Sequence, residues 1–168
     1  MMRIGLLSDT HGYLDPSLKT HFTECDEIWH AGDIGSVEVL DELESWGKTL
    51  RAVFGNIDGR DIRLKTTEDL RWNCEDVSVL MTHIAGYPRR YNPRVLRLIQ
   101  ENSPGLVVCG HSHILKIMYD QSLHHLHVNP GASGRQGLHK IRTAVRFTID
   151  GQEIKEMQVI ELGMRGSQ

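Results

Sequence analysis

The chain has 168 residues, a formal net charge of −3, and ordinary fractions of hydrophobic (39%) and charged (24%) residues. These values predict a single folded domain over residues 1–168 and exclude a largely disordered chain. Because the sequence has no long basic run and no bilayer-length apolar stretch, we expect neither stable nucleic-acid binding nor membrane attachment.

The first half of the chain alternates apolar strands with amphipathic helices. The periodicity predicts strands at 3–8, 27–31 and 50–54, with helices at 16–25 and 36–46 between them.

The second half consists mostly of strands. Two short strands are predicted within 67–82, a helix begins at Asn92-Pro93, and a buried strand follows at 105–109. The remaining strands are predicted at 114–119, 123–128, 143–149 and 152–160, the last two joined by an Asp-Gly hairpin turn. This order predicts a layered α/β domain with a mixed sheet, or with two packed sheets.

Five of the apolar strands end in polar residues that can bind metal. Ligands of open α/β sheets bind outside the carboxyl ends of the strands, so we expect these side chains to share one pocket. They are Asp9, His11, Asp33, Asn56, His83, His111 and His113.

These seven groups offer oxygen and imidazole ligands but no thiolate. Such ligands suit Mn, Fe, Ni or Zn better than a structural four-cysteine zinc site, and seven are enough for two ions. With two divalent ions, two aspartates and a bridging hydroxide, the site would keep a charge near +1 and attract a phosphate ester. Two such ions can activate a hydroxide for in-line attack on phosphorus.

The ordered series of motifs resembles the calcineurin-like metallophosphoesterase superfamily. It reads D-x-H from Asp9, G-D at Asp33, G-N at Asn56, a strand-end His83 and G-H-x-H from Gly110. The small size and the NPGAS segment at 129–133 resemble the short, single-domain bacterial and archaeal phosphodiesterase branch. The resemblance covers residue 3 to about 160. It implies a four-layer αββα sandwich with two mixed β-sheets, and an NPGAS turn that closes on the metal edge.

The resemblance also implies the role of each ligand. Asp9, His11 and His113 would hold one divalent transition-metal ion. Asn56, His83 and His111 would hold a second, and Asp33 would bridge the two. Manganese is the favoured metal, with nickel, iron or zinc as alternatives, and Asp33, Asn56 and His83 would act in catalysis with a metal-activated hydroxide. The branch includes a eukaryotic membrane-coat scaffold that has lost part of the metal set, whereas every position is filled here, which favours an enzyme.

Ile57 departs from the superfamily pattern. Most members have a histidine there that is thought to act as general acid, although the short branch usually lacks it. Isoleucine cannot donate a proton, and Asp58 is the nearest alternative donor.

The loop after His83 carries Arg89 and Arg90, which can bind phosphate oxygens. Substrate contact and a solvated loop both remain open readings of this loop. His124, His125 and His127 could form another metal site, but ordinary sheet positions are favoured because His125 and His127 share one face of a strand.

We therefore predict a metal-dependent phosphoric ester hydrolase that cleaves phosphodiester bonds of small molecules. The alternatives are a phosphomonoesterase or nucleotide pyrophosphatase with the same centre, or a protein-binding scaffold. Three cysteines without a CxxC spacing predict reduced thiols in a cytoplasmic protein. Exposed strands in the second half predict that self-association into a homo-oligomer is feasible.

Overall fold

The protein is described by a computed structural model that covers residues 1–166. Its first sheet has five strands in the order β12 (Glu153–Met164), β11 (Ile141–Asp150), β1 (Met2–Leu7), β2 (Glu27–His30) and β3 (Thr49–Ala52). The strands β1, β2 and β3 are parallel, whereas β11 runs antiparallel to β1 and to β12. The sheet is therefore mixed.

The second sheet also has five strands. Their order is β4 (Asp69–Cys74), β5 (Val77–Thr82), β8 (Leu106–Val108), β10 (His125–Pro130) and β9 (Leu115–Asp120). The three central strands are parallel, and the two edge strands are antiparallel to their neighbours. A separate hairpin pairs β6 (Gly86–Tyr87) with β7 (Arg90–Tyr91).

Four helices complete the fold: α1 (Ser17–His21), α2 (Val37–Ser45), α3 (Arg60–Arg63) and α4 (Pro93–Asn102). The two sheets pack face to face around a core that contains Trp29 and Phe147. Leu18 of α1 and Leu40 of α2 cover the outer face of the first sheet. Helix α4 covers the outer face of the second sheet, and the predicted four-layer αββα sandwich is confirmed.

Several details differ from the sequence prediction. The strand predicted at 123–128 spans His125–Pro130, and the one predicted at 152–160 continues to Met164. The first helix ends at His21 instead of continuing to residue 25. The amide of Thr23 bonds to Thr20, because the hydroxyl of Thr23 occupies the carbonyl of Lys19 that the next helical turn would need. The short helix α3 and the β6–β7 hairpin were not predicted, because each has too few residues to show a periodicity.

No helix within residues 1–166 is both long and apolar enough to cross a membrane. The three cysteines, Cys25, Cys74 and Cys109, are buried and unpaired, as the absence of paired spacings predicted.

The sheets bring the predicted strand ends to one edge of the sandwich. The NPGAS segment closes over this edge, as predicted: the amide of Ser133 donates to the carbonyl of Ser8 at 3.0 Å, and the amide of Gly134 donates to that of Asp9 at 3.1 Å. Asn129 also donates its side-chain amide to the carbonyl of Gly110 at 2.9 Å. Loops from both sheets are thereby fixed against each other.

Candidate metal centre

Two groups of potential metal ligands lie side by side at this edge. Asp9, His11 and His113 form one group, and in it the ligand atoms lie within 4.8 Å of one another. The second group meets the same limit and consists of Asp33, His83 and His111. Together the groups contain six of the seven predicted ligands.

The seventh predicted ligand, Asn56, lies beside the second group. Its Oδ1 is 3.0 Å from Nδ1 of His111. All seven side chains predicted from the strand ends therefore meet in one place.

Asp33 lies between the two groups. Its Oδ2 is 3.5 Å from Nε2 of His11 in the first group, and its Oδ1 is 3.3 Å from Nε2 of His83 in the second. A carboxylate in this position can offer one oxygen to each of two ions.

Several atoms that face this centre are buried and have no hydrogen-bond partner. They include Oδ1 of Asp9, Nε2 of His11 and Nε2 of His83. A buried polar atom left unpaired costs about 1–3 kcal/mol, so three together call for a ligand. Carboxylate oxygens and imidazole nitrogens that converge on one point are ligands that divalent transition metals prefer, and the donor set therefore fits such ions.

The opposite sides of these ligands are held by the protein. Oδ2 of Asp9 accepts hydrogen bonds from Oγ of Ser8 at 2.7 Å and from the amide of His111 at 3.1 Å. Nδ1 of His83 donates to the carbonyl of Ala31 at 2.7 Å, which leaves its Nε2 lone pair facing the centre. The ligand atoms are thus oriented before any ion binds.

Five ligand residues have left-handed backbone conformations, with φ of 54° for Asp9, 47° for His11, 53° for Asp33, 71° for His111 and 62° for His113. Residues other than glycine avoid this region, and departures of this kind concentrate at functional sites. These strained backbone conformations direct the side chains into the centre.

Two motif glycines are needed for their small size. A Cβ atom at Gly55 would overlap the carboxylate of Asp33, and one at Gly110 would overlap the hydroxyl of Ser8. The glycines before Asn56 and His111 therefore let the loops approach the two aspartates.

The electrostatics keep Asp9 ionised. Burial opposes ionisation, but the imidazoles of His11 and His113, which lie 3.8 Å and 3.1 Å from Oδ1, outweigh it and hold the pKa of Asp9 below its usual range. The ligand is thus in the anionic form that a cation requires.

The segment that follows Asn56 presents an apolar side chain. Ile57 is 47% exposed, and its backbone amide donates to Oδ1 of Asp33 at 3.1 Å. Its side chain carries no proton for a leaving group.

Asp58, the alternative donor predicted from the sequence, is buried. Its carboxylate accepts hydrogen bonds from the amides of Ile34 (3.1 Å), Gly35 (2.8 Å) and Gly55 (2.8 Å). These bonds tie the loop after β2 to the loop after β3, which favours a structural role over proton transfer.

Arg89 and Arg90 lie at the turn of the β6–β7 hairpin, and both are exposed. Contact between these arginines and a substrate stays a prediction. Tyr91 of the same hairpin is buried, and its hydroxyl lies 2.8 Å from both Nε2 of His125 and Nδ1 of His127. These two histidines anchor the hairpin to β10, and within residues 1–166 neither belongs to a group of metal ligands.

His139 supports the centre in a way that the sequence did not reveal. Its Nε2 donates to the carbonyl of Gly134 at 2.9 Å, so its Nδ1 can accept a hydrogen bond from Nδ1 of His113 at 3.3 Å. This bond directs the Nε2 lone pair of His113 towards Asp9 and the first group. No motif marks His139, because the contact depends on how the loop after β10 folds back.

We expect His139→Ala to lower the affinity of the first group for Mn²⁺ by about 10–100-fold, the usual cost of removing a residue that orients a ligand. Calorimetric titration of metal-free protein checks this. The matched control is His124→Gln, because His124 is exposed and lies outside the centre. Unchanged Mn²⁺ affinity in His139→Ala would remove His139 from this role.

Known proteins resemble more than three quarters of this chain in sequence. A probable metallophosphoesterase of Methanocaldococcus jannaschii is 32% identical over 136 residues, which cover 78% of this chain and 68% of the relative. A phosphodiesterase from the same organism is 27% identical over 146 residues, which cover 77% of this chain and 83% of that relative.

Solved structures share the fold. An archaeal phosphodiesterase superposes with a TM-score of 0.76 at 24% identity, covering 95% of this chain and 100% of that one. Vps29 from Chaetomium thermophilum superposes with a TM-score of 0.74 at 13% identity, covering 96% of this chain and 97% of that one. Residues 2–152 match the calcineurin-like phosphoesterase superfamily domain, and the chain belongs to that family of metal-dependent phosphoric ester hydrolases.

Proposed function

We propose that this protein hydrolyses phosphodiester bonds of small molecules at a centre that holds two divalent transition-metal ions. The observation that carries the proposal is the position of Asp33 between two sets of ligand atoms. We further propose that residues 1–168 act as one domain, which the pairing of β1 with β11 supports.

When bound, two ions of this kind activate a water and offset the charge of the phosphoryl oxygens. In our proposal Asp9, His11 and His113 hold the first ion, and His83, His111 and Asn56 hold the second. Asp33 bridges them. The mixed oxygen and imidazole set favours manganese, with nickel, iron or zinc as alternatives.

The residues of the chain contribute orientation and charge. Asp33, Asn56 and His83 line the side of the centre where the ester is expected to bind, and their anchored conformations avoid reorganisation during the reaction. The exposed side chain of Ile57 offers no proton. The leaving group must therefore depart as an anion, and its pKa controls the rate.

The charge of the centre favours a diester. A site charge near +1 is neutralised by the single charge of a phosphodiester, whereas a monoester dianion exceeds it. A phosphomonoesterase or a nucleotide pyrophosphatase with the same ligands is the second candidate. The complete set of ligands argues against a purely structural scaffold.

The test is a comparison of kcat/KM for aryl phosphodiesters, aryl phosphomonoesters and cyclic nucleotides with Mn²⁺, Ni²⁺ and Zn²⁺. We expect Mn²⁺-dependent hydrolysis with the highest values for the aryl diesters. Faster cleavage of the monoesters would support a phosphomonoesterase instead. No hydrolysis with any metal would contradict both candidates.

A further inference from the structure

A cleft of about 420 Å³ opens directly from the second group of ligands. Asn56 and His83 both line it, so a substrate bound at the centre can extend into it. The loop after β3 and helix α3 make one wall, and the end of β5 with the start of α4 makes the other. Two arginines, Arg63 and Arg94, line these opposite walls.

The charge of Arg94 is already balanced within the protein. Its terminal nitrogens form two hydrogen bonds with the carboxylate of Asp69, at 2.7 and 3.1 Å, and one of them also lies 3.7 Å from Glu68. A third hydrogen bond goes to Oγ1 of Thr82 at 3.2 Å. This arginine therefore serves as a rigid wall of the cleft.

Arg63 differs because its charge has no carboxylate partner within residues 1–166. Its Nε donates to the backbone carbonyl of Asp58 at 2.7 Å, and its guanidinium lies over the ring of Phe54 at 4.3 Å from the centroid. Both contacts hold the planar group in place, and the two terminal nitrogens have no partner in the part of the chain that the structure describes. A guanidinium fixed in this way matches the two oxygens of a carboxylate or phosphate.

The support for Arg63 connects to the centre. Asp58, which accepts the Nε hydrogen bond through its carbonyl, holds the amide of Gly55 through its carboxylate. Gly55 in turn lies against the carboxylate of Asp33. The position of the guanidinium is thus fixed relative to the proposed bridging ligand, as a subsite for one part of a substrate requires.

We propose that Arg63 is the anion-binding residue of a specificity subsite, which selects phosphodiesters carrying a second negative group on one ester arm. This rests on the proposed function, because the subsite binds one ester arm of a substrate whose phosphodiester group lies at the metal centre. The second group is a carboxylate or a phosphate, and both present the paired oxygens that Arg63 can bind. A neutral arm gains nothing from this contact.

The test uses two para-nitrophenyl diesters that differ in one charge. The other arm is para-carboxyphenyl in one and para-carbamoylphenyl in the other, so the leaving group and the size are nearly the same. We expect the Mn²⁺-loaded wild type to prefer the carboxylate by about tenfold in kcat/KM, the effect of one charged hydrogen bond. Arg63→Gln should lose this preference and cleave the two diesters with similar kcat/KM.

Arg60→Gln is the matched control, because Arg60 belongs to the same helix but does not line the cleft. It should keep the full preference. A readout without turnover comes from calorimetric binding of para-carboxybenzylphosphonate and its carboxamide analogue, which should show the same difference and the same loss in Arg63→Gln. Thermal unfolding checks that each variant is folded.

Equal cleavage of both diesters by the wild type would overturn the subsite and leave the phosphodiesterase proposal standing. A preference that survives in Arg63→Gln would also overturn it. Cleavage of neither diester by the wild type would contradict the proposed function and the subsite with it.

Discussion

Asp33→Asn should lower kcat/KM for an aryl phosphodiester by at least about 10³-fold, more than the loss of a single stabilising donor costs in other enzymes. The reason is the position of Asp33, whose two oxygens face His11 and His83 of different ligand groups. An amide replaces one anionic oxygen by a donor, which cannot bridge two cations.

The loss should occur without unfolding. Asparagine has the same shape and keeps an oxygen to accept the amide of Ile57. The matched control is Asp41→Asn, whose exposed carboxylate pairs only with Lys65 at 3.2 Å, an interaction that contributes little. Thermal unfolding of the metal-free proteins should give similar midpoints for both variants. Retained hydrolysis in folded Asp33→Asn would remove Asp33 from the bridging role.

Ile57→His should raise the rate for diesters with poor leaving groups by about 10²-fold, at the lower end of what general acid catalysis supplies. Ile57 follows the proposed ligand Asn56, and its side chain is open to solvent, so an imidazole fits there. The wild type should show a steep decline of kcat with increasing leaving-group pKa, and the variant a flatter one.

Ile57→Gln separates proton donation from polarity, since glutamine is polar but cannot act as an acid. It should keep the steep dependence of the wild type. A flat dependence in the wild type, measured where chemistry limits the rate, would mean that another residue already protonates the leaving group.

The sequence and its family resemblance predicted the layers and the convergence of the strand-end side chains. Asp9 and Asp33 follow neighbouring parallel strands of one sheet, whose carboxyl ends share an edge, so their meeting could be predicted. His83 follows a strand of the second sheet, and its place beside them depends on how the two sheets pack. The element order predicted a layered α/β domain with either a mixed sheet or two packed sheets, because β-only residues follow the alternating half. The resemblance to the superfamily implied the two sheets that the structure has.

The supporting contacts could not be predicted in this way. His139 forms a hydrogen bond with His113, which lies 26 positions away in the sequence. Asp58 accepts a hydrogen bond from the amide of Ile34, which lies 24 positions away. Such contacts depend on the paths of loops, which carry no periodicity. The unpaired charge of Arg63 likewise appears only once the fold has shown which carboxylates lie near it.

Elemental analysis of the purified protein after reconstitution with Mn²⁺ tests the central claim most directly. The two ligand groups, with Asp33 of the second facing His11 of the first, predict about two Mn ions per chain, with phosphodiesterase activity that appears as the second ion binds. One ion per chain in a fully active protein would contradict the binuclear centre, and no bound ion would contradict the metal-dependent mechanism.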